Sequence, residues 1–303
     1  MTALFEVPAP LFKTLSDELP WLQAAPALAA QYLDRWKLSL DGRPLHGMAS
    51  VILPVVRADG SPAMLKLQPT NEENAAEALA LRSWPRDAVV EVLEDDPATA
   101  TILLERLEPR SLSDVADDTE ATRILAGLLR RLNEVPAPPT VRRLSDVVAE
   151  MLDAAPSLIP RLADPTQQSF VRRYAALAAE LAQEPGDRLL HWDLHYDNVM
   201  AGRRAPWLVI DPKPLAGHPG FEVFQVLHNR WDDLLGTGDL QRAIRQRFDL
   251  MIEVTGLDRE RAIGWTLVRI LQNVLWDLED GEEDEIDPDH LQIAQALTGT
   301  LVV

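Results

Sequence analysis

Two apolar-rich runs, residues 51–57 and 62–67, flank Ala58-Asp59-Gly60-Ser61, and an Asp-Gly pair between such runs marks a β-hairpin. Residues 71–83 follow with Glu72, Glu73 and Glu77 set among Ala and Leu, a helical pattern that Asn71 is placed to cap. Residues 88–94 and 99–106 read as two more strands, with Asp95-Asp96-Pro97 between them. The segment from Arg35 to Arg106 is therefore expected to be sheet-rich.

After Leu107-Glu108-Pro109 the period changes. Residues 119–133 place Ile124, Leu125, Leu128, Leu129 and Leu132 on one helical face, and residues 167–183 do the same with Phe170, Tyr174, Leu177 and Leu181. Helices are also expected over residues 221–235, 240–254 and 259–278, with a last one over 289–301. Residues 189–211 interrupt them as a sheet-like island. These patterns predict a small sheet-rich lobe, residues 1–106, followed by a larger mainly helical lobe, residues 107–303.

Composition narrows the classes. At 303 residues, 47% hydrophobic and 25% charged, the chain can bury one large core or two modest ones. The longest apolar stretches, such as residues 124–129, fall far short of the roughly 18 residues of a spanning helix, so no membrane partner is expected. Glu6 precedes any basic residue and no apolar stretch with a cleavage site follows, which points to a cytoplasmic protein. The absence of Cys excludes disulfides, thiol nucleophiles and thiolate metal sites. A net charge of −19 opposes nucleic-acid binding and favours a small cationic ligand. Nine acidic residues crowd residues 271–290 with no Lys or Arg, which reads as a solvated loop between helices. That block, with Asp232 and Asp233, could also attract guanidinium or ammonium groups. The oligomeric state is left open, with a monomer favoured.

Against 25 Arg the chain keeps only four Lys, Lys13, Lys37, Lys66 and Lys213, and a compact point charge has uses that a planar fork has not. His191-Trp192-Asp193-Leu194-His195-Tyr196-Asp197-Asn198 matches the H-x-D-L-x-x-x-N loop of kinases, with Trp192 where Arg usually stands. Phosphoryl transfer needs a carboxylate to orient and deprotonate the attacking hydroxyl and oxygen ligands to hold Mg²⁺. Asp193 and Asn198 have the side chains for these roles. Asp211, thirteen residues after Asn198 and beyond a turn at Ala201-Gly202-Arg203-Arg204, would return beside it as a second ligand. Lys66 ends a strand eleven residues before Glu77, the spacing of a phosphate-binding Lys and its helix Glu, with Glu73 as the competing partner. His46-Gly47-Met48-Ala49-Ser50 could cover phosphates through backbone N–H groups, although it lacks G-x-G-x-x-G. Each of these residues also has an ordinary use: Asp193 and Asn198 as turn formers, Glu77 as a surface acid, His191 as a hydrogen-bonded strut.

The loop His191 to Asn198, the run Trp207-Leu-Val-Ile-Asp-Pro-Lys-Pro-Leu-Ala-Gly217, Met64-Leu-Lys-Leu67, Glu77-Ala-Leu-Ala-Leu-Arg82 and Leu103-Leu-Glu-Arg-Leu107 together resemble the aminoglycoside phosphotransferases, most closely the streptomycin 6-phosphotransferase and hydroxyurea phosphotransferase branch. The resemblance implies an α+β, protein-kinase-like two-lobed fold, ATP and Mg²⁺ as cofactors, and phosphorylation of a hydroxyl on a small cationic antibiotic. It makes Asp193 the catalytic acid/base, Asn198 and Asp211 the Mg²⁺ ligands, Lys66 the phosphate contact and Glu77 its orienting partner. Ser50 would lie over the phosphates, and Glu105 to Leu107 would hold adenine through backbone groups. Trp192 either reshapes the acceptor side or packs in the core, the commoner place for a large aromatic ring, while Asp232 and Asp233 are candidates for binding a cationic acceptor by their charge. Pro212-Lys213 replaces the Phe-Gly that follows this Asp in protein kinases, and no A-P-E follows, which disfavours a protein acceptor. The alternatives are a kinase of hydroxyurea or another metabolite, a nucleotide-binding module without transfer, and a metal-dependent hydrolase built on His191, Asp193 and His195.

Overall fold

The computed structural model describes residues 4–281 and 284–299, and the chain divides into two compact units. The first comprises Met1–Glu108 with Gly202–Arg204, the second Pro109–Ala201 with Ala205–Val303.

The first unit opens with helices α1 (Leu11–Thr14) and α2 (Leu19–Arg35). Strands β1 (Leu38–Leu40), β2 (Leu45–His46), β3 (Val51–Arg57) and β4 (Pro62–Leu67) follow, then α3 (Glu77–Ser83), β5 (Val92–Asp96) and β6 (Thr101–Glu105). They form a six-stranded antiparallel sheet in the order β1-β3-β4-β6-β5, with β2 paired to β3. Alternate residues of β3, Val51, Leu53 and Val55, are buried with Leu65 and Leu67 of β4. Leu22, Ala29 and Tyr32 of α2 join them in one core, so the period-two face of the sheet closes against a helix. In the β4–β6 register Lys66 lies opposite Ile102, which fixes the height of Lys66 on the sheet.

The second unit is mostly helical. Its elements are α4 (Asp118–Leu132), α5 (Leu144–Leu158), α6 (Pro165–Leu181), β7 (Arg188–Leu190), β8 (Val199–Ala201), β9 (Trp207–Val209) and β10 (Leu215–Gly217). Helices α7 (Val223–His228), α8 (Trp231–Gly236), α9 (Leu240–Thr255), α10 (Arg259–Asp280) and α11 (Pro288–Thr298) complete it. Asp117, Asp164, Asp239, Asp258 and Asp287 cap the N-termini of α4, α6, α9, α10 and α11 with side-chain carboxylates. Helix α10 packs on α5, α6, α7 and α11, and its Trp265, Ile270 and Leu271 are fully buried. Two antiparallel pairs, β7 with β10 and β8 with β9, carry the loop between residues 190 and 199 and the segment after β9. No helix of the described residues is long and apolar enough to cross a membrane.

Several boundaries differ from the sequence pattern. The helix expected over residues 71–83 begins at Glu77, because the Asn71 side chain caps a turn through the N–H groups of Glu73 and Asn74. Asp95 and Asp96 lie inside β5 rather than in a turn, held there by Arg82 and Arg35. The helix expected over residues 221–235 splits into α7 and α8 at Arg230, which takes φ 53° while its side chain donates to Val115 O and stacks on Tyr196. The acidic block is not all loop, since Asp277, Glu279 and Asp280 close α10 and Asp287 and Asp289 open α11; Glu282 and Glu283 lie outside the described residues.

Candidate active site

The loop from His191 to Asn198 is shaped by hydrogen bonds from every side. His191 is fully buried; its Nδ1 accepts from the Asp193 N–H at 3.3 Å and its Nε2 lies 2.8 Å from Ile210 O. With Nδ1 accepting, the proton sits on Nε2 and is donated to that carbonyl, so the tautomer is fixed. Burial pushes the His191 pKa down to about 4, and a neutral strut between the loop and the end of β9 has no spare nitrogen for base chemistry. The Lys213 N–H donates to His191 O, which ties the segment after β9 to the same loop.

The carboxylate of Asp193 is partly exposed. Gln225 Nε2 of α7 donates to its Oδ1 at 2.7 Å, and Lys213 Nζ lies 3.5 Å from its Oδ2. Its backbone carbonyl accepts from Asn198 Nδ2 at 2.9 Å. That bond orients the Asn198 amide and leaves its oxygen as the ligand atom. Ile210 N–H donates to Asn198 O at 2.9 Å, extending the β8–β9 ladder so that Asp211 is the next residue beyond it. Asp211 and Trp192 take φ 57° and 66°, a left-handed conformation that costs a non-glycine residue about 1–3 kcal/mol and persists only where surrounding bonds enforce it.

At Trp192 the enforcing bond comes from a residue that the motif does not contain. Glu222 Oε1 accepts the N–H groups of both Trp192, at 2.8 Å, and His191, at 2.5 Å, and the residue is fully buried. Burial raises its pKa to about 7, against the lowering pull of those N–H groups and of Asn133. Gln225 was equally invisible to motif spacing. A lone carboxylate in the run Gly220-Phe221-Glu222-Val223-Phe224 was the available signal, because burying a carboxylate demands donors.

In the first unit, Lys66 Nζ lies 2.8 Å from both Glu77 oxygens, and Gln68 Nε2 donates to Glu77 Oε2 at 2.6 Å. Lys66 and Glu77 are 4% and 1% exposed, so the pair is desolvated. Removing the cation while keeping the acid takes the Lys66 ammonium away from a buried carboxylate. Lys66→Met is therefore expected to cost about 3–5 kcal/mol in chemical denaturation, and Lys66→Met with Glu77→Leu markedly less.

The remaining expected residues fall as follows. Ser50 is buried, and its carbonyl accepts from Gly47 N; a Cβ at Gly47 would meet Ser50 Oγ at 2.7 Å, so a larger residue there requires that hydroxyl to shift. The Glu105 carboxylate accepts from Glu91 N–H and from Arg204, and Leu107 follows in irregular chain. Trp192 is 2% exposed, its indole near Trp276 and beneath the guanidinium groups of Arg142 and Arg269. Asp232 and Asp233 are exposed on α8, and Asp233 pairs with Arg230.

A neutral strut, a held carboxylate and adjacent oxygen donors are the parts of a small-molecule kinase loop, and the comparisons agree. Residues 35–281 match the family model described as aminoglycoside/hydroxyurea antibiotic resistance kinase, and the chain belongs to that family. It is 49% identical over 302 residues to "Streptomycin 6-kinase" of Streptomyces glaucescens, covering 98% of each chain. It is 47% identical over 288 residues to "Hydroxyurea phosphotransferase" of Kitasatospora aureofaciens, covering 92% of this chain and 82% of that one. The fold is shared with a thermostable mutant of aminoglycoside phosphotransferase APH(4)-Ia in ternary complex with AMP-PNP and hygromycin B, at TM-score 0.63 and 17% identity over 89% of this chain and 99% of that one.

Proposed function

We propose that the protein is an ATP- and Mg²⁺-dependent O-phosphotransferase whose acceptor is streptomycin or a closely similar aminoglycoside, phosphorylated at the 6-hydroxyl. The match to streptomycin 6-kinase along nearly the whole of both chains carries the acceptor, and the bonded loop carries the chemistry. The donor set suits Mg²⁺: the Asn198 amide is turned by its own N–H bond so that oxygen remains, and Asp211 adds a carboxylate, both hard ligands. When bound, Mg·ATP supplies the γ-phosphoryl group and neutralises its charge.

The chain's own residues do the rest. Lys66, held by Glu77, contacts the nucleotide phosphates. Asp193 aligns the acceptor hydroxyl and takes its proton on the carboxylate, while Gln225 fixes the rotamer through Oδ1. Positioning of this kind supplies most of the rate in phosphoryl transfer. An overall charge of −19 favours a cationic acceptor.

The 47% identity to hydroxyurea phosphotransferase favours a second reading in which hydroxyurea is the acceptor. Coupled ADP-release assays with streptomycin, hygromycin B and hydroxyurea separate the two. Turnover with streptomycin at least tenfold above the others is expected. Turnover with hydroxyurea alone would move the acceptor to the second reading, and ADP release with none of them would remove both.

A further inference from the structure

The end of α7 and the first turn of α11 bring together three metal-ligating side chains that the phosphotransfer site does not use. One nitrogen each of His228 and His290 and one carboxylate oxygen of Asp287 all lie within 4.8 Å of one another. The two imidazole centroids are 5.2 Å apart, and Phe224 packs against both rings. His290 is 3% exposed, and its Nδ1 is buried without a hydrogen-bond partner. Buried polar nitrogens are almost always satisfied, so an orphaned nitrogen on a residue of this cluster points to a missing partner. Asp287 caps α11 through one oxygen, on Asp289 N–H, and its other oxygen remains for a ligand role.

We propose that His228, Asp287 and His290 form a second metal site, for a divalent transition ion of the Zn²⁺ type. Two imidazoles and one carboxylate suit Zn²⁺, whereas Mg²⁺ selects oxygen donors, so the site and the phosphotransfer site sort their ions by chemistry. Tetrahedral Zn²⁺ with bonds of about 2.0–2.1 Å holds its donors about 3.3 Å apart, a contraction that small side-chain rotations supply, and a water completes the set. Facing the two imidazoles are Asp287 and Asp289 with negative charge and Arg269 with positive charge, which leaves the surroundings net anionic. The ion would tie α7, which carries Gln225, to α11.

The test uses the tag-free full chain, stripped with chelator and titrated with Co²⁺, whose visible spectrum reports tetrahedral nitrogen and oxygen ligation. One equivalent is expected to bind below about 10 µM, to be displaced by stoichiometric Zn²⁺ and to resist millimolar Mg²⁺. Zn²⁺ is expected to raise the thermal midpoint by several degrees. His290→Gln and Asp287→Asn should each weaken binding by about 10–100-fold, with Asp211→Asn unchanged. Asp287→Asn keeps a capping oxygen and so remains informative if His290→Gln fails to fold. No saturable binding by the wild type below about 100 µM overturns the proposal. So does a spectrum that survives Asp287→Asn or disappears in Asp211→Asn.

Discussion

Asp193→Asn is expected to lower kcat for streptomycin phosphorylation by about 10²–10⁴-fold while leaving the KM for ATP within a few-fold of wild type. The substitution keeps the volume and a hydrogen-bonding oxygen for Gln225 Nε2, now 2.7 Å from Asp193 Oδ1, so the loop should stand. What it removes is the charge 3.5 Å from Lys213 Nζ and the atom that takes the proton. A loss confined to kcat identifies an interaction made only in the transition state, whereas a rise in KM alone would identify plain binding. Steady-state kinetics with streptomycin and ATP each varied make the distinction. Near-wild-type kcat in a folded Asp193→Asn would take this residue out of the reaction.

The second large effect is expected at Glu222, which touches no substrate group. Glu222→Ala orphans two buried N–H groups at the left-handed Trp192, a loss of about 2–5 kcal/mol in stability, and frees the loop that carries Asp193. Activity should fall by at least 10²-fold, through loop geometry. Glu222→Gln keeps an acceptor oxygen and should retain most activity. Its pH behaviour separates the two roles of the residue. The pKa of Glu222 is raised from 4.5 to about 7 in the folded state, so its contribution is fully present below about 4.5 and is lost as pH rises through about 7. Relative to Glu222→Gln, the wild type should lose on the order of 3 kcal/mol between pH 4.5 and pH 8. Parallel urea melts across that range measure it, and coincident pH profiles for the two proteins would show that the buried acid does not titrate there.

What could be read from the chain alone depended on whether the signal was local. The β3–β4 hairpin, the helical faces of α4, α6, α9 and α10, and the loop from His191 to Asn198 all lie within short windows of sequence, and all were legible. Helices α2 and α5 were not anticipated, because each carries a proline inside, Pro26 and Pro156, where a periodic pattern is ordinarily ended. The break at Arg230 depends on Tyr196 and Val115, far away in sequence. The same holds for the site. Lys66 and Glu77 are linked by strand-to-helix spacing, but Gln68, Gln225 and Glu222 act through bonds formed only on folding. Trp192 is buried as its bulk and apolar ring favour, but its left-handed backbone, with the N–H held by Glu222, has no local signal.

In the proposed reaction a phosphoryl group passes directly and in line to an antibiotic hydroxyl that Asp193 deprotonates, with no phosphorylated protein in between. ATP made chiral at the γ-phosphorus with oxygen isotopes, turned over with streptomycin, reads this out in the phosphate ester formed. Streptomycin phosphate with inverted configuration at phosphorus is expected. Retained configuration, or ATP turnover that yields no ester, would contradict the proposed reaction.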